Sequence, residues 1–246
     1  MTAKVTVGLS QRIQLDWLER TAMLCASGAN QEEIRQELDL FLQDKLSIGT
    51  TSTGQTNRRK AVTNLLKIWV SVPDSLVPFR NAGLLHLQRL PAEAHLPLHW
   101  GMTMAVYPFF YTIVENTGRL LKLQGTVAAA QVYRRVQEQL GERSTVARAT
   151  RRVLRSLNDW AVLEDTAEKG IYRASPVNVI EDTQLRLWLI EAVLLASNAQ
   201  SSPLRAASQT PALFPFSLQP LGLERTNPTR LEIAQQGLDE KVVMLR

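Results

Sequence analysis

Residues 144–160 read STVARATRRVLRSLNDW, and at 100° per residue this stretch sorts its residue types onto two faces. Val146, Ala149, Thr150, Val153, Leu157 and Trp160 make one apolar stripe, while Arg148, Arg151, Arg152 and Arg155 share the opposite one with Ser144 and Thr145. No Asp or Glu occurs between Ser144 and Arg155. Like charges three and four residues apart destabilise an isolated helix by a few tenths of a kcal/mol per pair. With no acid on the helix to offset them, an anion outside it is the simplest account. A solvated surface and a docking face for an acidic protein are the competing readings of such a charge run.

Working outward, Val127 to Leu140 has helical periodicity, Gly141-Glu142-Arg143 makes a turn, and Ser144 stands where an N-cap is wanted. Downstream, Ala161-Val162-Leu163 and Ile171-Tyr172-Arg173 read as two short strands around a polar turn that ends at Gly170. Upstream, Leu98 to Leu121 reads as one long apolar helix. From Val127 to Trp160, seven arginines face Glu138, Glu142 and Asp159, a local excess of four in a chain whose formal charge is +5.

This order of helix, helix, helix and hairpin resembles the winged helix-turn-helix superfamily. The resemblance implies that the helix after the turn enters the major groove of duplex DNA and that the hairpin, as a wing, touches the backbone. The DNA-binding residues it implies are Arg143, Ser144, Thr145, Arg148, Arg151, Arg152 and Arg155, with Lys169 and Arg173 on the wing. RNA, read by shape and phosphate, is a minor variant. The layout is also similar to the BrxA-like small DNA-binding components of BREX phage-defence systems. The matching features are the helices from Arg12 to Val70 and the winged unit from Leu98 to Arg173; the Pro-rich segment and C-terminal hairpin fall outside that pattern. This second resemblance implies a role in phage restriction beside a methyltransferase and other large subunits.

The remaining chain is mostly helical in pattern. Gln11 to Ala26 and Gln31 to Leu46 repeat apolar residues at helical spacing, Gly28 suits a C-terminal cap, and Asn30 with Glu33 makes a capping box. Ile48 to Asn57 reads as a mobile loop, followed by a helix from Arg58 to Val70 whose opening Arg58-Arg59-Lys60 would sit unfavourably at the positive end of the dipole. Pro73 and Pro78 interrupt the pattern before a short helix near Asn81 to Leu90. Thr183 to Ala196 is apolar nearly all round, which predicts burial between neighbours. Ser197 to Pro228 carries five of the eleven prolines and reads as an extended connector, with Phe214 and Phe216 docked on the body. Arg230 to Leu245 reads as a hairpin turning at Gly237.

Composition narrows the function classes. The chain has 246 residues, 45% hydrophobic and 21% charged, in the range of ordinary globular proteins. One cysteine, Cys25, rules out an internal disulfide and a Cys-based zinc cage, and its helical context makes it a small core residue. The Met-Thr-Ala-Lys start lacks a secretory signal, so a cytoplasmic protein is expected. Ala94 to Val114 is uncharged for 21 residues, but Pro97, Gly101, Pro108 and two histidines argue for a buried helix kinked near Pro108 and against a membrane span. His95 and His99 have the spacing of a helical metal pair, yet Pro97 lies between them and no cysteine assists. No carboxylate pair, nucleophile elbow or phosphate-cradling glycine loop is present, so no catalysis, metal or cofactor is expected. The five tryptophans sit in apolar periodicity and are assigned to packing.

The expected architecture is mainly α with a small β component. It comprises a helical N-terminal region (1–96), a central winged helix-turn-helix (97–175), and a C-terminal helix, Pro-rich connector and β-hairpin (176–246). The expected function is non-catalytic duplex DNA binding, as a component of a phage-defence complex or as a transcription regulator. The alternative is a protein-interaction scaffold that uses the winged unit and the Phe214–Phe216 segment.

Overall fold

The computed structural model describes residues 8–9, 11–46, 52–220, 230–236 and 240–246. Helices dominate, and the strands form three small sheets. Among the described residues no helix is long and apolar enough to cross a membrane.

The first half is a helical layer: α1 (Leu15–Ala26), α2 (Gln31–Phe41), α3 (Gln43–Leu46), α4 (Ser52–Trp69), α5 (Val77–Arg89) and α6 (Leu96–Val106). The expected punctuation between α1 and α2 is present. Gly28 takes φ +84°, Asn30 Oδ1 accepts from the N–H groups of Glu32 and Glu33, and Glu33 Oε2 accepts from the Asn30 N–H at 2.8 Å. Helix α4 begins earlier than its apolar periodicity implies, at Ser52. Arg58, Arg59 and Lys60 therefore lie well inside a helix, and the expected clash with a helix start does not arise. The part of the expected loop at 48–51 lies outside the described residues. Pro78 sits in the first turn of α5, where its missing N–H costs nothing, so the helix starts earlier than expected.

The long apolar helix is broken rather than kinked. Tyr107, at φ −123° and ψ 87°, ends α6, and Pro108 opens α7 (Pro108–Gln124). Residues 97–105 of α6 are all buried. Val127, expected to begin a helix, instead lies on a short strand β1 (Thr126–Ala128), and the helix α8 (Ala129–Leu140) follows. Then come α9 (Ser144–Asp159), β2 (Leu163–Asp165) and β3 (Ile171–Ala174). Strand β1 pairs antiparallel with β3, and β3 with β2, in the order β1-β3-β2 with Val127 opposite Tyr172 and Glu164 opposite Arg173.

Strand β4 (Asn178–Ile180) precedes α10 (Thr183–Ser197), whose residues are buried on nearly every side against α5, α6 and α7. The Pro-rich segment is ordered over its described part, contrary to the expected connector. It forms β5 (Ser201–Pro203), α11 (Leu204–Ser208), a 3-10 turn at Pro211–Leu213 and β6 (Phe216–Leu218). Two contacts explain the order: β6 pairs in parallel with β4, and Trp100 donates its indole N–H to the Ala212 carbonyl at 3.1 Å. The remaining strands, β7 (Leu231–Gln236) and β8 (Glu240–Leu245), form the expected hairpin, and β5 joins it in the order β5-β8-β7. The turn expected at Gly237 lies outside the described residues.

One apolar core runs from Leu9 through α1 to α10 and on to Phe216, and a smaller cluster beneath the C-terminal sheet includes Ile190, Leu231 and Val243. Trp17, Trp69, Trp100, Trp160 and Trp188 are all buried. Phe214 and Phe216 stack edge-on against Trp100, each with centroids 5.6 Å away. The expected docking of this segment is therefore present, with Phe216 buried and Phe214 half-buried.

Candidate nucleic-acid interface

Helix α9 forms because its apolar stripe is buried while its charged stripe is solvated. Val146, Ala149, Thr150, Val153, Leu154, Ser156 and Leu157 are buried, packed against α8, α7 and β2. Arg148, Arg151 and Arg155 are exposed and Arg152 is half-buried. Among the described residues Arg148, Arg151 and Arg155 form no ion pair. Three solvated guanidiniums thus stand unneutralised along one face.

At the start of the helix the geometry differs from expectation. Arg143, with extended backbone, holds the N-cap position, its side chain makes no cap bond, and Ser144 is the first helical residue. The turn itself explains the shift. Gly141 takes φ +89° and ψ 155°, a conformation that favours glycine, and the Arg143 N–H closes back on the Gly141 carbonyl at 3.0 Å. Arg143 also donates from Nη2 to the Leu140 carbonyl at 3.1 Å, which aligns its charge with the end of α8. Arg143, Ser144 and Thr145 are all exposed.

The hairpin places the other two predicted residues. Thr166 staples the β2–β3 turn, its N–H and Oγ both donating to the Ile171 carbonyl at 3.1 Å, and Gly170 supplies the positive φ of +81° that the reversal needs. Lys169 is exposed at the tip of this turn. Arg173 is exposed as well, but it pairs with Glu164 directly across the strands, Nη2 to Oε2 at 2.6 Å. Lys169 and Arg173 therefore differ in kind, one a tip charge with no ion pair among the described residues and the other a strand charge paired with Glu164. The predicted first strand, 161–163, is displaced to Leu163–Asp165, because Ala161 takes φ +54° and turns the chain.

Sequence reasoning missed the anchor at the far end of α9. Residues 11–13 cross the end of the helix. The Ile13 N–H donates to Ser156 Oγ at 2.9 Å, Trp160 Nε1 donates to the Ile13 carbonyl at 3.0 Å, and Arg12 pairs with Asp159 through two N–H donors. The Asp159 carboxylate, by accepting these bonds, holds the Arg12 guanidinium above its ordinary pKa. Gln11 continues the bridge by donating to Asn57 Oδ1 on α4 at 3.0 Å. Nothing in the spacing of Arg12 and Asp159, 147 residues apart, could have signalled the pair.

The histidines do different work. Glu19 of α1 joins both, Oε1 lying 3.0 Å from His95 Nδ1 and Oε2 accepting from His99 Nε2 at 2.9 Å, while Trp69 donates its indole N–H to His99 Nδ1 at 3.2 Å. Burial holds the His99 pKa below its ordinary value, against the opposing pull of Glu19. These contacts lock α1 and α4 onto α6. Cys25 is half-buried and donates to the Trp69 carbonyl at 3.3 Å.

Comparison with protein-family models, curated proteins and solved structures gives no match.

Proposed function

We propose that the chain binds duplex DNA without catalysis, with α9 laid in the major groove and the β2–β3 hairpin set against the backbone as a wing. The observation that carries this reading is the row of exposed arginines Arg148, Arg151 and Arg155, without ion pairs among the described residues, on a helix whose other face is locked into the core. The order α7, β1, α8, α9, β2, β3, with the sheet ordered β1-β3-β2, supports it as the layout that a winged helix needs. Arg148, on the N-terminal half of α9, serves base-edge or deep-groove contact, and Arg151 and Arg155 meet flanking phosphates. In this reading the protein works in the cytoplasm, and a component of a phage-defence complex is one role open to it. A transcription regulator is the other role open to the same interface, and the neighbouring genes distinguish the two.

Fluorescence anisotropy with a labelled duplex tests the proposal. The wild type binds at low salt, and Arg148→Ala/Arg151→Ala loses about tenfold or more in affinity while circular dichroism stays unchanged, consistent with one to three kcal/mol for a base-edge contact. Equal binding by the folded double variant would overturn the groove assignment and give the arginine face to an acidic protein partner.

A further inference from the structure

The C-terminal part of the molecule forms an open cleft of about 640 Å³ between α10, α11 and the β5-β8-β7 sheet, lined by none of the residues assigned to the arginine face or the wing. Three cations line it, Arg186, Arg205 and Lys241, over an apolar floor that includes Ile190, Leu204 and Leu218; the acid among its lining residues is Glu240. A volume of a few hundred Å³ with an apolar floor and a few polar groups is typical of a small-molecule site.

Arg186 is the informative residue. It is only 6% exposed, yet its neighbours satisfy hydrogen bonds without neutralising charge. Nη1 donates to the carbonyls of Gln219 and Pro220 at 2.5 and 2.9 Å, and Nη2 donates to Thr183 Oγ1 at 2.6 Å. Its Nε has no partner among the described residues, and neither Arg186, Arg205 nor Lys241 forms an ion pair among them. A buried cation with neutral partners alone carries an uncompensated desolvation cost. Position adds to the cost, since Arg186 lies at the start of α10, the positive end of its dipole. The N-cap acid that could answer it, Asp182, is committed elsewhere, to Arg89 Nη1 at 2.7 Å and to the Leu185 N–H at 2.8 Å. A buried guanidinium and two rim cations around one apolar-floored cavity call for the same kind of ligand.

We propose that this cavity binds a small organic anion, a carboxylate or phosphate head on an apolar or aromatic body no larger than about a mononucleotide. The head meets Arg186, with Arg205 and Lys241 at the mouth, and the body lies on Ile190, Leu204 and Leu218. The binding is independent of the DNA-binding reading and stands or falls separately from it.

Thermal melting of the full chain tests it with four probes: inorganic phosphate, adenosine 5′-monophosphate, decanoate, and the uncharged methyl ester of decanoate. At ten times its Kd, a true ligand raises Tm by about 3–5 °C. The expected result is such a rise with adenosine 5′-monophosphate or with decanoate, the successful arm identifying the head group, and none with the methyl ester. Arg205→Ala/Lys241→Ala, both on the accessible rim, abolishes the rise without lowering the ligand-free Tm by more than a few degrees. Arg186→Met gives the second arm: the ligand-free protein melts at the wild-type temperature or above, since a buried uncompensated charge is gone, and the probe no longer shifts it. No rise with either organic anion, a rise with inorganic phosphate alone, a rise equal to that of the methyl ester, or a rise that survives Arg205→Ala/Lys241→Ala would each overturn the proposal.

Discussion

Trp160 donates its indole N–H to the backbone carbonyl of Ile13 at 3.0 Å, across 147 residues of chain. This bond, with Ser156 Oγ on the Ile13 N–H and Arg12 on Asp159, fixes the C-terminal end of the arginine helix to the N-terminal helical layer. Helix α9 is thereby held at both ends, by the Gly141 turn and by residues 11–13, and its arginines project from a rigid support. Trp160→Phe keeps most of the packing but leaves the buried Ile13 carbonyl unpaired. It should cost about 1–3 kcal/mol in urea denaturation and, with the protein still folded at 20 °C, leave duplex affinity within about twofold. A much larger loss of affinity than of stability would place Trp160 in the interface itself.

Close approach makes one glycine irreplaceable. A Cβ on Gly118 of α7 would meet the Pro211 carbonyl oxygen at 2.0 Å and Phe214 Cβ at 3.1 Å. The Pro211 carbonyl is backbone and cannot swing away as a flexible side chain would, so Gly118→Ala should destabilise by about 3 kcal/mol or more. Gly125 has φ +74° but open space around it, and Gly125→Ala should cost only about 1 kcal/mol of backbone strain. Equal losses in the two variants, read by thermal melting, would refute the packing of the Pro211–Leu213 turn on α7.

Two buried groups push stability in opposite directions with pH. Burial raises the Glu191 carboxyl to about 7, against the counteracting pull of Arg230, whose Nε lies 3.1 Å from Oε1 without the alignment of a hydrogen bond. Between pH 4.5 and 7 the folded chain therefore keeps a proton that the unfolded chain has released, and stability falls as pH rises through that window, by no more than about 3 kcal/mol. His99 is depressed below 6.5, so its contribution is intact above that pH and is lost as pH falls below it, when the unfolded chain takes up a proton that the fold resists. Glu191→Gln should remove the alkaline decline and shift the pH of maximal Tm upward. A variant whose profile between pH 5 and 8 overlays that of the wild type would contradict this assignment.

The wing residues should separate by their pairing. Lys169→Ala should weaken binding to all duplexes about equally and lower the salt slope by about one phosphate. Arg173 already shares its charge with Glu164, so Arg173→Ala should cost less than Lys169→Ala under the same conditions. The reverse order in competition binding would mean that Arg173 leaves Glu164 for the backbone on binding.

What could be read in the sequence was what periodicity and capping encode. The two faces of residues 144–160, the Asn30–Glu33 box, the encircled apolarity of 183–196 and the C-terminal hairpin are each written in a local spacing. What escaped was set by distant partners. Val127 is a strand residue because Tyr172 lies opposite it, the Pro-rich segment is ordered because β4 and Trp100 receive it, and Asp159 is neutralised by a residue at the other end of the chain. Polar Ser52 to Asn57 carries no apolar rhythm, so the true start of α4 was invisible. Of the nine predicted contact residues, Arg148, Arg151 and Arg155 lie on the exposed face that the local wheel gives them, Arg152 is half-buried, Ser144 is the first helical residue and not the N-cap, and the pairing of Arg173 depends on strand register.

The central claim is that the α9 arginines meet phosphate, and the most direct measurement is the dependence of duplex affinity on salt. Each neutralised phosphate contributes about −0.9 to the slope of log K against log salt. The account predicts a steep linear fall for the wild type and a slope shallower by about two to three for Arg148→Ala/Arg151→Ala/Arg155→Ala. A wild-type affinity that barely changes between 50 mM and 200 mM salt, or a triple variant with an unaltered slope, would contradict it.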